Sequence, residues 1–260
     1  MLSKPGIVKS ASLDFHQFKS RSKLFKELKT ILNDCICMLQ FPLPEHHIQA
    51  LIQLHNLVCS LTKDNTTLSK SVFEATQLDE KLFIMETLCI FLKSHPPFHE
   101  SSAEKKDLWA RQTDLCLSII QGVACFCPET TGYFLDVTHL KILIDLFSCK
   151  QPKVVLNALE TIQIILGTSP EHLRAFESSG GIQHLSQIAR YKEGASEAEF
   201  SVTLKCVEFI CLYLLPESDL AQTAPGRPSI LLRTVQEKEK FVSTHFGQDF
   251  VQRLQHLIPF

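Results

Sequence analysis

The feature that most constrains this chain is a unit that occurs twice, 42 residues apart. The second copy runs from Val154 to Arg190, VVLNALETIQIILGTSPEHLRAFESSGGIQHLSQIAR. Val155, Ala158, Leu159, Ile162, Ile165 and Leu166 recur at three- and four-residue steps, which places them on one apolar helical stripe that must be buried. Gly167 is expected to end that helix in the left-handed conformation. Ser169-Pro170-Glu171 then supplies an N-cap, a proline at the first helical position and a favourable charge. Gly180-Gly181 closes the short second helix, and Ile182, Leu185 and Ile188 define a third. Slid upstream by 42 residues, Pro170-Glu171 falls on Pro128-Glu129, Phe176 on Phe134, Ile182 on Leu140, Leu185 on Leu143, Ile188 on Leu146 and Ile162 on Ile120.

A period near forty is that of armadillo and HEAT arrays, in which each helical unit buries one face only by stacking on its neighbours. The helix, Gly-Gly-Ile, helix pattern with Asn157-Ala158 upstream resembles an armadillo repeat, although the upstream copy has Thr138-His139 in place of the glycines. The fold class is therefore all-α, an armadillo/HEAT-like α-solenoid of about three helical repeats with a C-terminal capping helix pair.

Outside the repeats, residues 1–20 lack periodicity and are read as an arm, with 21–260 a single helical domain. Leu24, Leu28, Ile31, Cys35 and Met38 mark a first helix ended by Pro42 and Pro44. Leu51, Leu54, Val58 and Leu61 mark a second from Glu45. A short helix over Leu68–Ala75 and one capped by Asp79, bearing Leu82, Met85, Cys89 and Leu92, complete a degenerate first unit. The stretch 94–106 reads as a surface loop, and Asp107–Phe126 as a helix with Leu108, Leu115, Ile119, Val123 and Phe126 inward. Beyond a loop at 191–197, Phe200, Leu204, Val207, Cys211 and Leu214 form the expected buried line of a helix stopped by Pro216. A loop over 217–229 leads to Gln236–Phe246, a break at Gly247, and Asp249–Leu257 bearing Phe250, Val251, Leu254 and Leu257.

Composition narrows function by exclusion. A net charge of −2 and a pI near 6.6 argue against a dominant nucleic-acid surface. Seven Lys or Arg against Asp14 and Glu27 over residues 1–29 read as a solvated helix face and tail. The longest apolar runs are too short to span a bilayer, and neither a signal-peptide core nor a lipidation box is seen, so an intracellular, cytoplasmic protein is expected. Ten cysteines, mostly at apolar helical positions, read as reduced core residues. No Gly-Lys dipeptide occurs, which removes the phosphate-cradling loop, and no cysteine has an Arg six residues on, which removes the cysteine phosphatase signature. Cys35-Ile-Cys37 and Cys125-Phe-Cys127 are disfavoured as zinc pairs, because residues two apart on a helix point to different sides. His46-His47 reads as a solvated pair. No catalytic residue, cofactor or metal site is expected.

Two segments carry a family resemblance. LKCVEFICLYLLPE (Leu204–Glu217) and EKEKFVSTHFGQDFVQRLQHLIPF (Glu237–Phe260), with NALETIQIILGTSPEHLRAFESSGGIQHLSQI upstream, resemble the fungal cell division control protein 14 family of the septation initiation network, over roughly the second half of the chain. That family is unrelated to the phosphatase of similar name. The resemblance implies a non-catalytic partner subunit of a germinal-centre-type protein kinase, acting at the spindle pole body to promote septum formation and cytokinesis.

From the helical reading itself, the third helix of each unit is expected to present polar side chains to a partner helix or peptide, with Lys141, Asp145, Gln183, His184, Gln187 and Arg190 as candidate contacts. An armadillo adaptor for cargo or membrane traffic is the alternative. A cysteine-dependent enzyme on a helical scaffold is a third, and it requires an exposed thiol of low pKa.

Overall fold

A computed structural model describes residues 21–64, 66–94, 102–190, 194–217 and 232–255, and every regular element among them is helical. The expected arm at 1–20, the loop residues 95–101, 191–193 and 218–229, and Leu257 lie outside the described residues. By its contacts the chain divides into two compact units, Met1–Ile84 and Met85–Phe260.

In the first unit, α1 (Arg21–Gln40) packs on α2 (Pro44–Asp64) and on α3 (Thr67–Gln77). Its buried line is Leu24, Leu28, Leu32, Cys35, Ile36 and Leu39. Relative to the expected stripe this is rotated, leaving Ile31 and Met38 half-buried. Leu51, Leu54, Val58 and Leu61 face inward as expected, joined by Ala50 and Leu57. His47 is not solvated: it is 3 % exposed, and its Nε2 lies 2.5 Å from the Phe41 carbonyl. The proline-bounded turn between α1 and α2 leaves that carbonyl without a helical donor, and the imidazole satisfies it. Thr66 and Ser69 form a capping box that starts α3. Asp79 caps only the 3₁₀ turn Glu80–Leu82, so the longer helix expected there is split in two. Gln77 spans the break, accepting from Ile84 N–H at 3.0 Å.

The second unit holds α4 (Ile84–Ser94, nearly all of it), α5 (Ala103–Phe126), a 3₁₀ helix at Pro128–Leu135, α6 (Val137–Asp145), α7 (Pro152–Leu166), α8 (Pro170–Ser178), α9 (Gly181–Ile188), α10 (Glu197–Leu214), α11 (Val235–Phe246) and α12 (Gln248–Gln255). The long helices form a ladder in which α5 lies on α7 and α7 on α10, while α8 packs against α6 and α9. α5 starts at Ala103, earlier than the expected Asp107. α11 packs on α9 and α10 and carries α12, so the C-terminal pair caps the stack.

The 42-residue correspondence holds in space. Ile120 and Ile162, Phe134 and Phe176, Leu140 and Ile182, and Leu143 and Leu185 are all fully buried. The two copies differ where the glycines differ. Gly180 has φ +74°, a conformation a side chain resists, and it opens α9. In the upstream copy Asp136 takes over, its carboxylate accepting from Thr138 N–H at 2.8 Å to cap α6, and His139 stacks on Tyr133 with ring centroids 3.9 Å apart. The short second helix of the unit is correspondingly 3₁₀ in the upstream copy and α in the downstream one.

Gly167 corrects the expectation: its φ is −68°, in the right-handed region. The reversal is made by extended Ser169 instead, at φ −164° and ψ 156°. The Ser169 hydroxyl does not cap α8; it lies 2.9 Å from Nδ1 of buried His172, whose Nε2 reaches the Thr131 carbonyl at 2.8 Å and so ties one repeat to the next. On α10 the expected line is also displaced. Leu214 is buried, but Phe200 and Leu204 are 51 % and 59 % exposed, and the buried face is Val202, Cys206, Phe209, Ile210, Tyr213 and Leu214. No helix among the described residues is long and apolar enough to cross a membrane.

Candidate partner-binding surface

The six residues singled out for partner contact lie on α6, on α9 or just beyond it. Lys141, Asp145, Gln183, Gln187 and Arg190 are exposed, and His184 is half-buried. Behind them Leu140, Leu143 and Ile144 anchor α6, and Ile182 and Leu185 anchor α9. Ile188, expected inside, is half-buried at the end of its helix.

Two of the six, Gln187 and Arg190, share a concavity. They line a cleft of about 500 Å³ whose other walls include Phe147, Lys150 and Val155 from the start of the α7 repeat and Glu199, Val202 and Thr203 from α10. Phe147, Val155 and Val202 are buried and make an apolar floor, while Lys150, Arg190 and Glu199 stand exposed at its rim. Such a cleft can take an apolar side chain and pair charges of either sign around it. Lys141, Asp145, Gln183 and His184 lie outside it.

A polar ladder that pattern reading did not single out joins α5 to α7. The Gln121 amide donates to the side chain of Asn157, to its carbonyl at 3.2 Å and to Thr161 Oγ1 at 3.0 Å. The Asn157 amide donates in turn to Asp114 Oδ1 at 2.8 Å, and Lys153 Nζ meets Asp114 Oδ2 at 2.7 Å. Each half-buried amide has found partners, so the ladder sets the register of α5 on α7. The signal was present as Gln121 interrupting an apolar run and Asn157 beside one.

A second polar cluster clamps α8, the end of α10 and α11. Arg174 Nη2 lies 2.6 Å from Glu217 and 3.2 Å from Glu177, and Arg233 lies 3.1 Å from Glu177. The Tyr213 hydroxyl donates to Glu177 at 2.5 Å, and Lys238 lies 3.5 Å from Glu217 while donating to the Leu215 carbonyl. Burial lowers the pKa of Lys238, opposed by the Glu217 carboxylate; burial raises that of the Tyr213 hydroxyl, helped by its bond to Glu177. The buried carboxylates of Glu177 and Glu217 are offset by the cations around them, so the cluster ties α8, the end of α10 and α11 together. Glu217 follows Pro216 directly and read as the start of a loop.

Six of the ten thiols are held away from the reactive form. Burial pushes the Cys35, Cys89 and Cys206 thiols up to about 12, Cys116 well above its ordinary value, and Cys149 and Cys211 upward, all away from the thiolate a nucleophile needs. Cys35 is buried where Cys37 is exposed, and Cys127 is buried where Cys125 is exposed, so neither pair converges.

Residues 98–256, more than half of the chain, match the family described as Cell division control protein 14, SIN component. The Cell division control protein 14 of Schizosaccharomyces pombe is 24% identical over 204 residues, covering 76% of this chain and 81% of the relative. Among solved structures, a designed armadillo repeat protein in complex with the peptide (KR)4 is similar with a TM-score of 0.54 and 14% identity, covering 95% of this chain and 88% of the other. The likeness to the designed protein is one of fold.

Proposed function

Since this chain belongs to the Cell division control protein 14, SIN component family, we propose that it is a non-catalytic scaffold of the septation initiation network that binds a germinal-centre-type protein kinase and promotes septum formation and cytokinesis. The observation that carries this reading is the extent of the family match. It spans 98–256, which includes the whole ladder of α5, α7 and α10, its cap and the cleft beside Gln187 and Arg190. On this reading the chain works in the cytoplasm and at the spindle pole body.

The chemistry of the surface is in keeping with binding. The cleft beside Gln187 and Arg190 pairs an apolar floor with a charged rim, the layout of a contact core surrounded by polar groups. Burial drives the shifted thiols away from reactivity, which weighs against the cysteine-dependent alternative. A designed protein of the same fold holds a peptide, so a stack of this kind is a format suited to receiving a segment of another chain.

Affinity purification of the intact chain from dividing fungal cells, followed by mass spectrometry, tests the proposal. Recovery of a germinal-centre-type kinase in stoichiometric yield is the expected result. Recovery of coat or transport proteins with no kinase would overturn it in favour of a traffic adaptor.

A further inference from the structure

The outward side of α10 is not what a helix with a single buried face requires. Opposite its packed side such a helix ordinarily presents charged and polar residues to water. On α10, Phe200, Leu204 and Leu212 are 51 %, 59 % and 49 % exposed, and Leu215 at its C-cap is 43 % exposed. Half-buried Val207 and Cys211 fall between them, so the apolar surface runs along the helix. Isolated exposed leucines are ordinary; a continuous strip of this kind marks a surface that is covered.

Toward the C-terminal end of α10 this strip opens into a pocket of about 390 Å³ walled by Leu166, Leu173, Phe209, Leu212, Tyr213 and Leu215. Lys238 and Glu217 also line it, and they are paired with each other. An apolar cavity of about 150 Å³ already holds a benzene ring, so this pocket has room for a large aliphatic or aromatic side chain.

The charges bordering the strip have one dominant sign. Glu160 and Glu208 have side chains 52 % and 54 % exposed, and Glu197 is exposed at the first turn. Lys205, 17 % exposed, is held between Glu160 at 3.9 Å and Glu208 at 3.1 Å. A second copy of this chain would bring the same acidic border against itself, and an anionic membrane would be repelled by it.

We infer that the exposed face of α10 and its adjoining pocket form a docking site for a basic amphipathic helix of a partner protein. One large apolar side chain of that helix seats between Leu212 and Leu215, its apolar stripe covers Phe200 and Leu204, and its flanking Lys and Arg face Glu160, Glu197 and Glu208. This is recognition of an amphipathic helix by an apolar groove with one anchoring side chain. It builds on the reading of the chain as a partner-binding scaffold and does not depend on the partner being a kinase.

The test uses a fluorescein-labelled helical peptide of 18 residues, the length of α10, with Leu and one Trp at helical spacing and Lys or Arg elsewhere. Two controls accompany it, one of the same composition in scrambled order and one with Glu in place of every Lys and Arg. The intact chain should bind the basic amphipathic peptide at least about tenfold more tightly than either control. The double variant L204S/L212S, which removes the apolar contact without adding charge, should lose about tenfold or more with an unchanged melting temperature, since both positions are exposed. Equal affinity for the scrambled peptide, or undiminished binding by the double variant, would overturn the inference. So would a dimer in sedimentation that the double variant dissolves, because a second copy would then be the occupant. Kinase recovery is read separately: peptide binding through α10 without kinase recovery sinks the kinase reading alone, and kinase recovery without peptide binding sinks this one alone.

Discussion

The ring of Phe176 occupies the space that a Cβ on Gly181 would need. A Cβ built at Gly181 would fall 2.2 Å from Phe176 Cε2, and Phe176 itself is fully buried and stacked on Phe209 at 5.3 Å. The two glycines that open α9 therefore have different duties. Gly180 supplies a left-handed backbone and Gly181 supplies close approach. Gly181→Ala should cost about 3 kcal/mol, at the upper end of ordinary overpacking, because the blocking ring is itself wedged in the core. Gly180→Ala should cost about 1 to 2 kcal/mol for the strained backbone alone. Chemical denaturation of both variants checks the order, and a larger loss at Gly180 would mean that the ring moves aside.

Ile162 is fully buried in the middle of α7, whose neighbours in the ladder are α5 and α10. Ile162→Ala removes methyl groups from a site walled by long helices that cannot collapse inward. The expected loss is about 2 to 5 kcal/mol, measured by urea unfolding. A loss below about 0.5 kcal/mol, the range of surface substitutions, would mean that the site relaxes as a surface does.

His172 gives the fold a dependence on pH. Burial lowers the pKa of its imidazole from the ordinary 6.5, against the opposing pull of the Thr131 carbonyl. The unfolded chain then takes up a proton that the native state refuses, so stability rises with pH through this window. His172 costs nothing well above pH 6.5; below it, stability should fall by about 1.4 kcal/mol per unit until the lowered pKa is reached. In His172→Gln the overall stability drops but this slope should shrink. Urea midpoints at pH 7.5 and 5.5 for both proteins measure it, and equal slopes would remove His172 as the source.

How much of this was legible from residues alone depended on whether a feature was local. The helix borders around Pro170 and Gly180 follow from residues whose backbone preferences act within one turn, and they fell where expected. The face of α10 did not. Its sequence carries two apolar stripes, Phe200-Leu204-Val207-Cys211 and Val202-Cys206-Phe209-Tyr213, and helical period ranks them equally; only the positions of α7, α9 and α11 decide which is buried. His47 was misread for a related reason, since the carbonyl that claims it belongs to a turn whose path two prolines set. The cleft beside Gln187 and Arg190 needs Lys150 and Glu199 from other elements, which no spacing along α9 discloses. The ion cluster at Glu177 and Glu217 is equally remote, 40 residues apart in a chain where each glutamate alone looks like solvated surface.

Gln187 and Arg190 carry the last prediction. Both are exposed and both line the cleft whose floor is Phe147, Val155 and Val202 and whose far rim bears Glu199. Arginine is the residue best suited to anchor a partner carboxylate, because its planar fork pairs bidentately. Replacing Gln187 and Arg190 together by Glu would leave the floor intact and turn the rim acidic around Glu199. If the kinase docks here, its affinity should fall by about thirtyfold, the equivalent of roughly 2 kcal/mol at an interface hot spot. The helical signal and melting temperature should barely change, since neither side chain contributes to the core. The matching control places Glu at Lys141 and Gln183, exposed residues of α6 and α9 that lie outside the cleft, and it should bind as the parent does. Equal loss in both double variants would point to a long-range charge effect, removable by salt. Undiminished binding by Q187E/R190E would place the kinase on another surface, with α11 and α12 the next to be charged and measured.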